Sequence, residues 1–210
     1  AISLSKRQLK DAVRSLSETP SLDAAVLIDT QLLMLDDQPF CDESARIIKE
    51  SLCNAEWALT KQSDRLLSIF DEIEDPYLRS RREDVKQVFD RIVRNLGQGV
   101  PSIYEIAPGA LNGAVVLADD LSPADVILLK HRGVAGFATE VGGMASHTSI
   151  LARSLAMPAV IGLRFMKDYF KEHDTIILDG EEGVLLGEAD EKLIDDYESR
   201  QVRLGDYRHN

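Results

Sequence analysis

Residues 142–153 read Gly-Gly-Met-Ala-Ser-His-Thr-Ser-Ile-Leu-Ala-Arg, a glycine-led turn that runs into a helix with one histidine at its start. Gly142 and Gly143 allow positive φ angles and a close approach of the backbone to a bound group, and Ser146 is a favourable helix cap. A helix start has unpaired N–H groups and a partial positive charge. This stretch therefore predicts an anion site beside His147.

The chemistry of imidazole narrows the kind of anion. A histidine side chain is largely neutral at pH 7, so one ring nitrogen can attack a phosphoryl group without a separate base. A lone histidine more often caps a helix or fills a polar niche. The glycine-led helix start around His147 favours a phosphohistidine instead.

The same stretch resembles the phosphohistidine signature of the phosphoenolpyruvate-utilising enzymes. In that signature two small residues precede a Ser-His-Thr-like triplet, and an arginine follows the histidine by six positions, as Arg153 does here. The family usually has Thr or Asn where this chain has Ala145, so Ser146 or Thr148 would compensate for a lost hydrogen bond. We expect these two hydroxyl side chains to contact the phosphoryl oxygens. Arg153 either reaches the phosphoryl group or pairs with an acid such as Glu140.

Composition excludes several classes of protein. The 210 residues are 44% hydrophobic without an apolar run of 18 or more, which favours two small globular domains and argues against membrane insertion. A net charge of −12 argues against nucleic acid as a partner and favours a basic protein. Cys41 and Cys53 have no clustered histidines, so we expect no metal site in this chain. The absence of a leader-like segment predicts a cytoplasmic protein.

The pattern of apolar residues in the sequence changes near residue 98. Up to that point apolar residues recur at helical spacing, with turn signals at 36–39 and 75–76, which predicts a bundle of about four helices over residues 1–98. Residues 99–188 then alternate short β-rich runs with short helices, as a compact α/β domain does. The predicted strands are 103–107, 114–118, 134–138, 159–161, 175–178 and 184–186, and residues 189–210 form a charged linker helix.

This order of a helical bundle and a phosphohistidine α/β domain is similar to the N-terminal half of enzyme I of the bacterial phosphotransferase system. Similar segments include 32–37, 75–85, 117–123, 136–139 and 178–180. The resemblance implies that the bundle docks an HPr-like phosphocarrier and that the α/β domain swivels between the carrier and a C-terminal barrel. That barrel, which binds phosphoenolpyruvate and magnesium in the family, would be absent here, so we expect no cofactor in this chain.

The acidic residues of the bundle are candidates for carrier docking. Residues 36–75 hold 11 acidic and 4 basic side chains, and HPr-type carriers present basic residues around their active histidine. The candidate partner residues are Asp36, Asp37, Asp71, Glu72 and Glu74. We expect Leu33, Met34 and Trp57, which could also anchor an interface, to lie in the core.

Two alternatives compete with a sugar-linked or nitrogen-related enzyme I. The first is the swivelling phosphohistidine domain of a pyruvate phosphate dikinase or phosphoenolpyruvate synthase, against which the helical bundle argues. The second is a non-catalytic interaction module in which Ala145 marks decay, against which His147, Thr148 and Arg153 argue.

Overall fold

The computed structural model describes residues 1–16, 22–97, 103–107, 109–144 and 146–207. The chain divides into two compact units. The first, which we call the helical unit, comprises Ala1–Ala107 together with Ser122–Leu128. The second, the α/β unit, comprises Pro108–Leu121 and Leu129–Asn210. This architecture confirms the expected combination of a helical bundle with a small α/β domain.

In the described part of the helical unit, five long helices and one short helix are present, one long helix more than the sequence pattern indicated. They are α1 (Ile2–Leu16), α2 (Leu22–Asp36), α3 (Gln38–Ser51), α4 (Ala55–Asp71), α5 (Pro76–Ser80) and α6 (Arg82–Arg94). Helix α6 is strongly amphipathic: Val85, Val88, Phe89 and Ile92 recur at helical spacing and are all buried.

Side-chain caps begin three of these helices, two of them, α3 and α5, at the predicted turns. Asp37 accepts a hydrogen bond from the Phe40 N–H at 2.9 Å at the start of α3. Asn54 caps α4, and Asp75 caps α5 just before a proline. Each cap satisfies backbone donors that would otherwise have no partner within the helix, so these polar residues define where the helices begin.

A buried ion pair ties the segment 122–128 into the helical unit. Arg91 and Asp125 are both nearly inaccessible, and Nη2 of Arg91 lies 3.4 Å from Oδ1 of Asp125 and 2.6 Å from Oγ of Ser122. Arg94 adds a second contact to the carboxylate at 3.2 Å. Burial raises the pKa of Asp125, but the charges of Arg91 and Arg94 and hydrogen bonds from Ser122 outweigh it and hold that pKa below its usual value.

Three parallel strands and a hairpin build the α/β unit. The parallel sheet has the order β1 (Val115–Ala118), β2 (Gly136–Thr139), β3 (Ala159–Ile161), with register pairs Val116 with Phe137 and Ala138 with Val160. Helices α7 (Pro123–His131) and α8 (His147–Ser154) connect successive strands, as parallel pairing requires. A short helix α9 (Met166–Tyr169) precedes the antiparallel pair β4 (Ile176–Asp179) and β5 (Val184–Gly187), and α10 (Glu191–Tyr207) follows.

The core of the α/β unit lies where the parallel sheet meets the hairpin. Ala138, Val160 and Met166 are buried at its centre, and Leu178 and Leu185 of the hairpin pack against them. Oδ1 of Asp179 accepts hydrogen bonds from the N–H groups of residues 181 and 182, which closes the hairpin turn between β4 and β5. These contacts cover one face of the parallel sheet. The C-terminal edge of the sheet is then a place where a site can form.

Several details differ from the sequence-based expectations. The strand predicted at residues 103–107 is wrong, because residues 103–106 form turns and a bend, and the hydroxyl of Tyr104 there bonds to Asp125 at 3.2 Å. Leu33 and Trp57 are exposed, not buried in the core as expected. The predicted boundary near residue 98 lies next to residues 98–102, outside the described residues. Among the helices of the described ranges, none is long and apolar enough to cross a bilayer.

Candidate functional site

The loop that leads to His147 is held by the C-terminal ends of the parallel strands. After β2, the N–H of Glu140 donates to the carbonyl of Ala118 at 3.1 Å, and the N–H of Val141 donates to that of Asp119 at 2.9 Å. The Thr139 hydroxyl donates to the Val141 carbonyl at 2.8 Å. These bonds fasten the loop to the edge at which open parallel sheets place their ligands.

The two glycines of the turn have different requirements. Gly142 has a φ of +114°, and a Cβ atom built on it would lie 2.8 Å from Cγ2 of Ile161. Both facts require glycine, because L side chains rarely adopt such a φ and the neighbouring branched side chain leaves no space. A Cβ atom on Gly143 would meet nothing within 4 Å. Only Gly142 is therefore needed for the shape of the turn, although the sequence suggested both.

Helix α8 begins at His147, directly after its cap. Ser146 has an extended backbone, with φ −67° and ψ 150°, and its hydroxyl oxygen accepts a hydrogen bond from the Ser149 N–H at 3.2 Å. The Ser146 carbonyl accepts from the Ile150 N–H at 3.1 Å, as the first regular helical bond. The imidazole is thus attached at the positive end of the helix dipole. Ala145 lies outside the described residues.

The His147 ring is half-buried, and its two nitrogen atoms differ. Nδ1 is fully buried, although the residue as a whole retains exposed surface. A group on another protein cannot reach an atom that has no exposed surface, which excludes Nδ1. Of the two ring nitrogens, burial therefore leaves Nε2 as the candidate for contact with an external group, a distinction that the sequence does not contain.

Thr148 has its hydroxyl turned into the protein. The residue is buried, and its Oγ1 donates to the carbonyl of Leu121 at 2.6 Å. This bond uses the single hydroxyl proton, so Thr148 anchors α8 to the residue in front of α7. Ser146 is different, because its hydroxyl oxygen is an acceptor in the cap, a contact that does not use the hydroxyl proton.

Ser149 is the residue of this site that the sequence reasoning missed. Its buried hydroxyl donates to the carbonyl of Met144 at 2.6 Å and lies 2.9 Å from that of Ser146. The available signal was its spacing: a residue three positions after a serine cap is placed to return a hydrogen bond to the turn. The pair Ser146 and Ser149 therefore closes the turn from both sides.

Arg153 folds back towards the same turn. Its exposed guanidinium donates from Nη2 to the Met144 carbonyl at 3.3 Å, whereas the Glu140 carboxylate accepts from the Lys167 N–H at 3.4 Å. This contact places the guanidinium beside the turn that precedes His147. A cation over the turn adds to the positive potential at the start of α8.

Exposed apolar side chains lie close to this polar turn in the sequence. Val141, Met144 and Ile150 are exposed, Met144 to 80%. Met144 and Ile150 lie three residues before and three after His147. Exposed apolar side chains of this kind are a common feature of surfaces that contact other proteins.

The acidic candidates of the helical unit lie at two helix junctions and are partly engaged. Asp36, the last residue of α2, pairs with Lys6 at 2.9 Å, and the hydrogen bond and charge of that lysine lower the pKa of Asp36. Asp37 caps α3, and Asp71 at the end of α4 pairs with Arg82 at 2.8 Å. Glu72 and Glu74 follow α4 and are exposed. The two ion pairs and the helix cap give Asp36, Asp37 and Asp71 a structural role.

The helical unit also exposes apolar residues that the sequence pattern assigned to the core or did not single out. Leu33 on α2 is 71% exposed, and Trp57 at the start of α4 is half-exposed beneath the ammonium group of Lys61, 4.7 Å from its ring centre. Tyr77 and Leu78 on α5 are exposed as well. Aromatic and aliphatic side chains of this kind are typical anchors of protein interfaces.

The described residues contain no group of three or more His, Cys, Asp or Glu side chains placed to hold a metal ion. The nucleophile of phosphohistidine chemistry is the ring nitrogen itself, which a neutral imidazole presents directly. We therefore assign no residue of the described ranges to magnesium, which the family resemblance implies for a further domain.

Comparison with known proteins agrees with this architecture. Residues 1–81 match the family described as PEP-utilising enzyme, N-terminal, and residues 110–183 match the PEP-utilising enzyme, mobile domain. A phosphoenolpyruvate-protein phosphotransferase of Cupriavidus necator is 34% identical over 203 residues, which cover 93% of this chain and 34% of that protein. The chain thus spans about a third of the length of this relative.

Solved structures extend the comparison to the fold. An NMR solution structure of Enzyme I (nEIt) is 32% identical, with a TM-score of 0.78 over 97% of this chain and 81% of that one. An N-terminal domain of Enzyme 1 - Nitrogen shares the fold, with a TM-score of 0.61 over 96% and 80% of the two chains at 19% identity. The chain therefore belongs to the family of PEP-utilising enzymes, as a relative of the N-terminal part of Enzyme I.

Proposed function

We propose that this chain is the phosphohistidine relay of a phosphoenolpyruvate-protein phosphotransferase, in which His147 passes a phosphoryl group to a histidine of an HPr-like carrier. The observation that carries the proposal is the place of the imidazole: it belongs to the first residue of a capped helix, and its Nδ1 is buried although the residue as a whole keeps exposed surface. The phosphoenolpyruvate-protein phosphotransferase of Cupriavidus necator supports the same chemistry by name.

The transfer step is a displacement at phosphorus between two imidazoles. Nε2 of His147 attacks the phosphoryl group of the phosphorylated carrier in line with the bond that breaks. The new bond joins Nε2 to phosphorus, and the carrier nitrogen leaves with the electron pair of the broken bond. With the ring proton of each neutral imidazole on its other nitrogen, no proton has to move. The step therefore runs in either direction without a general base.

Stabilisation of the phosphoryl oxygens falls to the start of α8. The helix dipole and the first-turn N–H groups favour a dianion there, and the Ser146 hydroxyl still has a proton to donate. Arg153 lies over the same turn through its bond to the Met144 carbonyl, and it supplies a full positive charge. Thr148 positions α8 through Leu121 and does not contact the phosphoryl group.

The carrier docks through two surfaces in this proposal. The exposed apolar residues beside His147, with Met144 foremost, cover the reacting groups and exclude water. On the helical unit, exposed apolar residues such as Leu33 and Trp57 supply contact area. The acidic residues Asp36, Asp37, Asp71, Glu72 and Glu74 attract the basic carrier surface over a longer range.

The rest of the reaction cycle lies in the longer protein. Phosphoenolpyruvate and magnesium would bind in a further domain, and the α/β unit would swivel between that domain and the carrier. We place the reaction in the cytoplasm, where the free thiols of Cys41 and Cys53 stay reduced. Neither the dikinase alternative nor a non-catalytic module has better support, since the helical unit is also part of the similar Enzyme I chain.

The test uses phosphorylated HPr-type carriers and the chain as it stands. Intact mass should show an acid-labile gain of one phosphoryl group on the wild type and on His173→Ala, which removes an exposed histidine elsewhere in the α/β unit. His147→Ala should show none. Transfer that survives in His147→Ala, or no transfer from any carrier to the wild type, would contradict the proposal. Two-dimensional NMR of the phosphorylated wild type should assign the phosphoryl group to Nε2.

A further inference from the structure

We propose that Ser149 is a positioning residue for phosphoryl transfer, because its hydroxyl holds the peptide plane from which the His147 ring extends. The inference rests on the proposed function of His147 and adds a residue that does not itself touch the phosphoryl group. Ser149 lies in the first turn of α8 and is buried. Its side chain points back to the turn in front of the helix.

Three hydrogen bonds define the role of Ser149. Its Oγ donates to the Met144 carbonyl at 2.6 Å and lies 2.9 Å from the Ser146 carbonyl. Its N–H donates to Oγ of Ser146 at 3.2 Å. The side chain and the backbone of one residue thus bind both ends of the segment 144–146. Helix caps usually supply only one such bond, from the cap to the helix.

The Ser146 carbonyl is the link to the imidazole. A peptide bond is planar, so the direction of this carbonyl also sets the N–H and Cα of His147. The Ile150 N–H donates to it at 3.1 Å along the helix, and the Ser149 hydroxyl approaches it from the side. The Ser149 hydroxyl has one proton, which it can share between the carbonyls of Met144 and Ser146 as a three-centre bond, and together with the Ile150 N–H it restricts rotation of the plane. The Cα–Cβ bond of His147 therefore has a fixed direction, which in-line transfer of a phosphoryl group to its ring requires.

The Met144 carbonyl is the second link. It accepts from the buried Ser149 hydroxyl at 2.6 Å and from the exposed Arg153 guanidinium at 3.3 Å. Without the hydroxyl, this carbonyl depends on a long and solvent-exposed side chain, whose bonds are weaker. The guanidinium is then also less well placed over the turn. Loss of the Ser149 hydroxyl therefore affects both the direction of the ring and the position of the nearby cation.

The test compares Ser149→Ala with Ser154→Ala, which changes an exposed serine at the other end of the same helix. Ser149→Ala removes the hydroxyl and changes little volume, so the helix should still form. We expect kcat for transfer from a phosphorylated carrier to fall about 10-fold, as the loss of about one hydrogen bond predicts. KM for the carrier should stay unchanged because Ser149 is buried and the exposed apolar residues that contact the carrier in the proposal are not changed. Ser154→Ala should leave both constants unchanged.

A second readout does not depend on transfer. The imidazole NMR signals of His147 should shift or broaden in Ser149→Ala and in Ser149→Cys, which keeps the size but donates weakly. The signals of His131 and His173 should stay the same. A wild-type kcat in Ser149→Ala, or unchanged His147 signals, would overturn the inference. If the wild type itself accepts no phosphoryl group, the proposed function fails, whereas the ring signals still decide the role of Ser149.

Discussion

Replacing Gly142 by alanine should destabilise the α/β unit, whereas the same change at Gly143 should be nearly neutral. At Gly142 an alanine keeps a φ of +114°, which costs about 1–3 kcal/mol for a residue with a Cβ atom. The new Cβ would also lie 2.8 Å from Cγ2 of Ile161, and such overpacking costs about 1–3 kcal/mol. We therefore expect a loss of about 2–6 kcal/mol in the free energy of unfolding.

Gly143 supplies the matched control in the same turn. A Cβ there meets nothing within 4 Å, and its φ is outside the range that disfavours L side chains. Gly143→Ala should change the free energy of unfolding by less than about 1 kcal/mol, and any change should be a gain because alanine restricts the unfolded chain.

The assay is hydrogen exchange of the backbone amides of β2 and β3, which reports on the α/β unit alone. Phosphoryl transfer from a carrier should fall in Gly142→Ala and stay near the wild-type rate in Gly143→Ala, because only the first change displaces the loop in front of His147. If Gly143→Ala loses as much protection as Gly142→Ala, the assignment of the strained position is wrong. If Gly142→Ala exchanges like the wild type, the loop is more adaptable than its contacts indicate.

Three further predictions concern the helical unit and the apolar surface beside His147. Asp125→Asn leaves the buried Arg91 without its charged partner and should destabilise the helical unit by about 3 kcal/mol, measured by Trp57 fluorescence in urea. The pKa of Asp125 is lowered in the folded state, so the contribution of Asp125 to the free energy of unfolding is complete above about pH 4 and is lost as the pH falls further. The free energy of unfolding of Asp125→Asn should therefore decrease less than that of the wild type as the pH falls. Met144→Glu should raise KM for the carrier several-fold without a change in stability. Tyr169→Ser, at another exposed position of the α/β unit, should leave KM unchanged. Equal changes in KM for the two variants would argue against docking at Met144.

Most of the secondary structure could be predicted because its signals are local. The apolar spacing of α6, the caps at Asn54 and Asp75, and the hairpin turn after Asp179 depend on residues a few positions apart. The error at residues 103–107 has the opposite origin. Apolar residues there suggested a strand, but Tyr104 bonds to Asp125, 21 positions away, which a pattern of neighbours cannot reveal.

The same division holds for the surfaces of the helical unit. Leu33 and Trp57 are apolar and stand at helical spacing, as core residues do, yet both are exposed. Helical periodicity identifies the apolar positions of a helix but not which face other helices cover. That choice depends on packing between helices, so an interface residue and a core residue can look alike in sequence.

At the candidate site, the sequence determined which residues stand at the start of the helix. The glycine-led turn, the serine cap and the single histidine are consecutive residues, and their order alone predicts an imidazole at a helix start. Tertiary structure decided how these residues are used. Whether Gly142 or Gly143 is strained depends on Ile161, the role of the Thr148 hydroxyl depends on Leu121, and the two nitrogens of His147 differ only through burial. These properties arise from contacts with distant parts of the chain, and local sequence carries no record of such contacts.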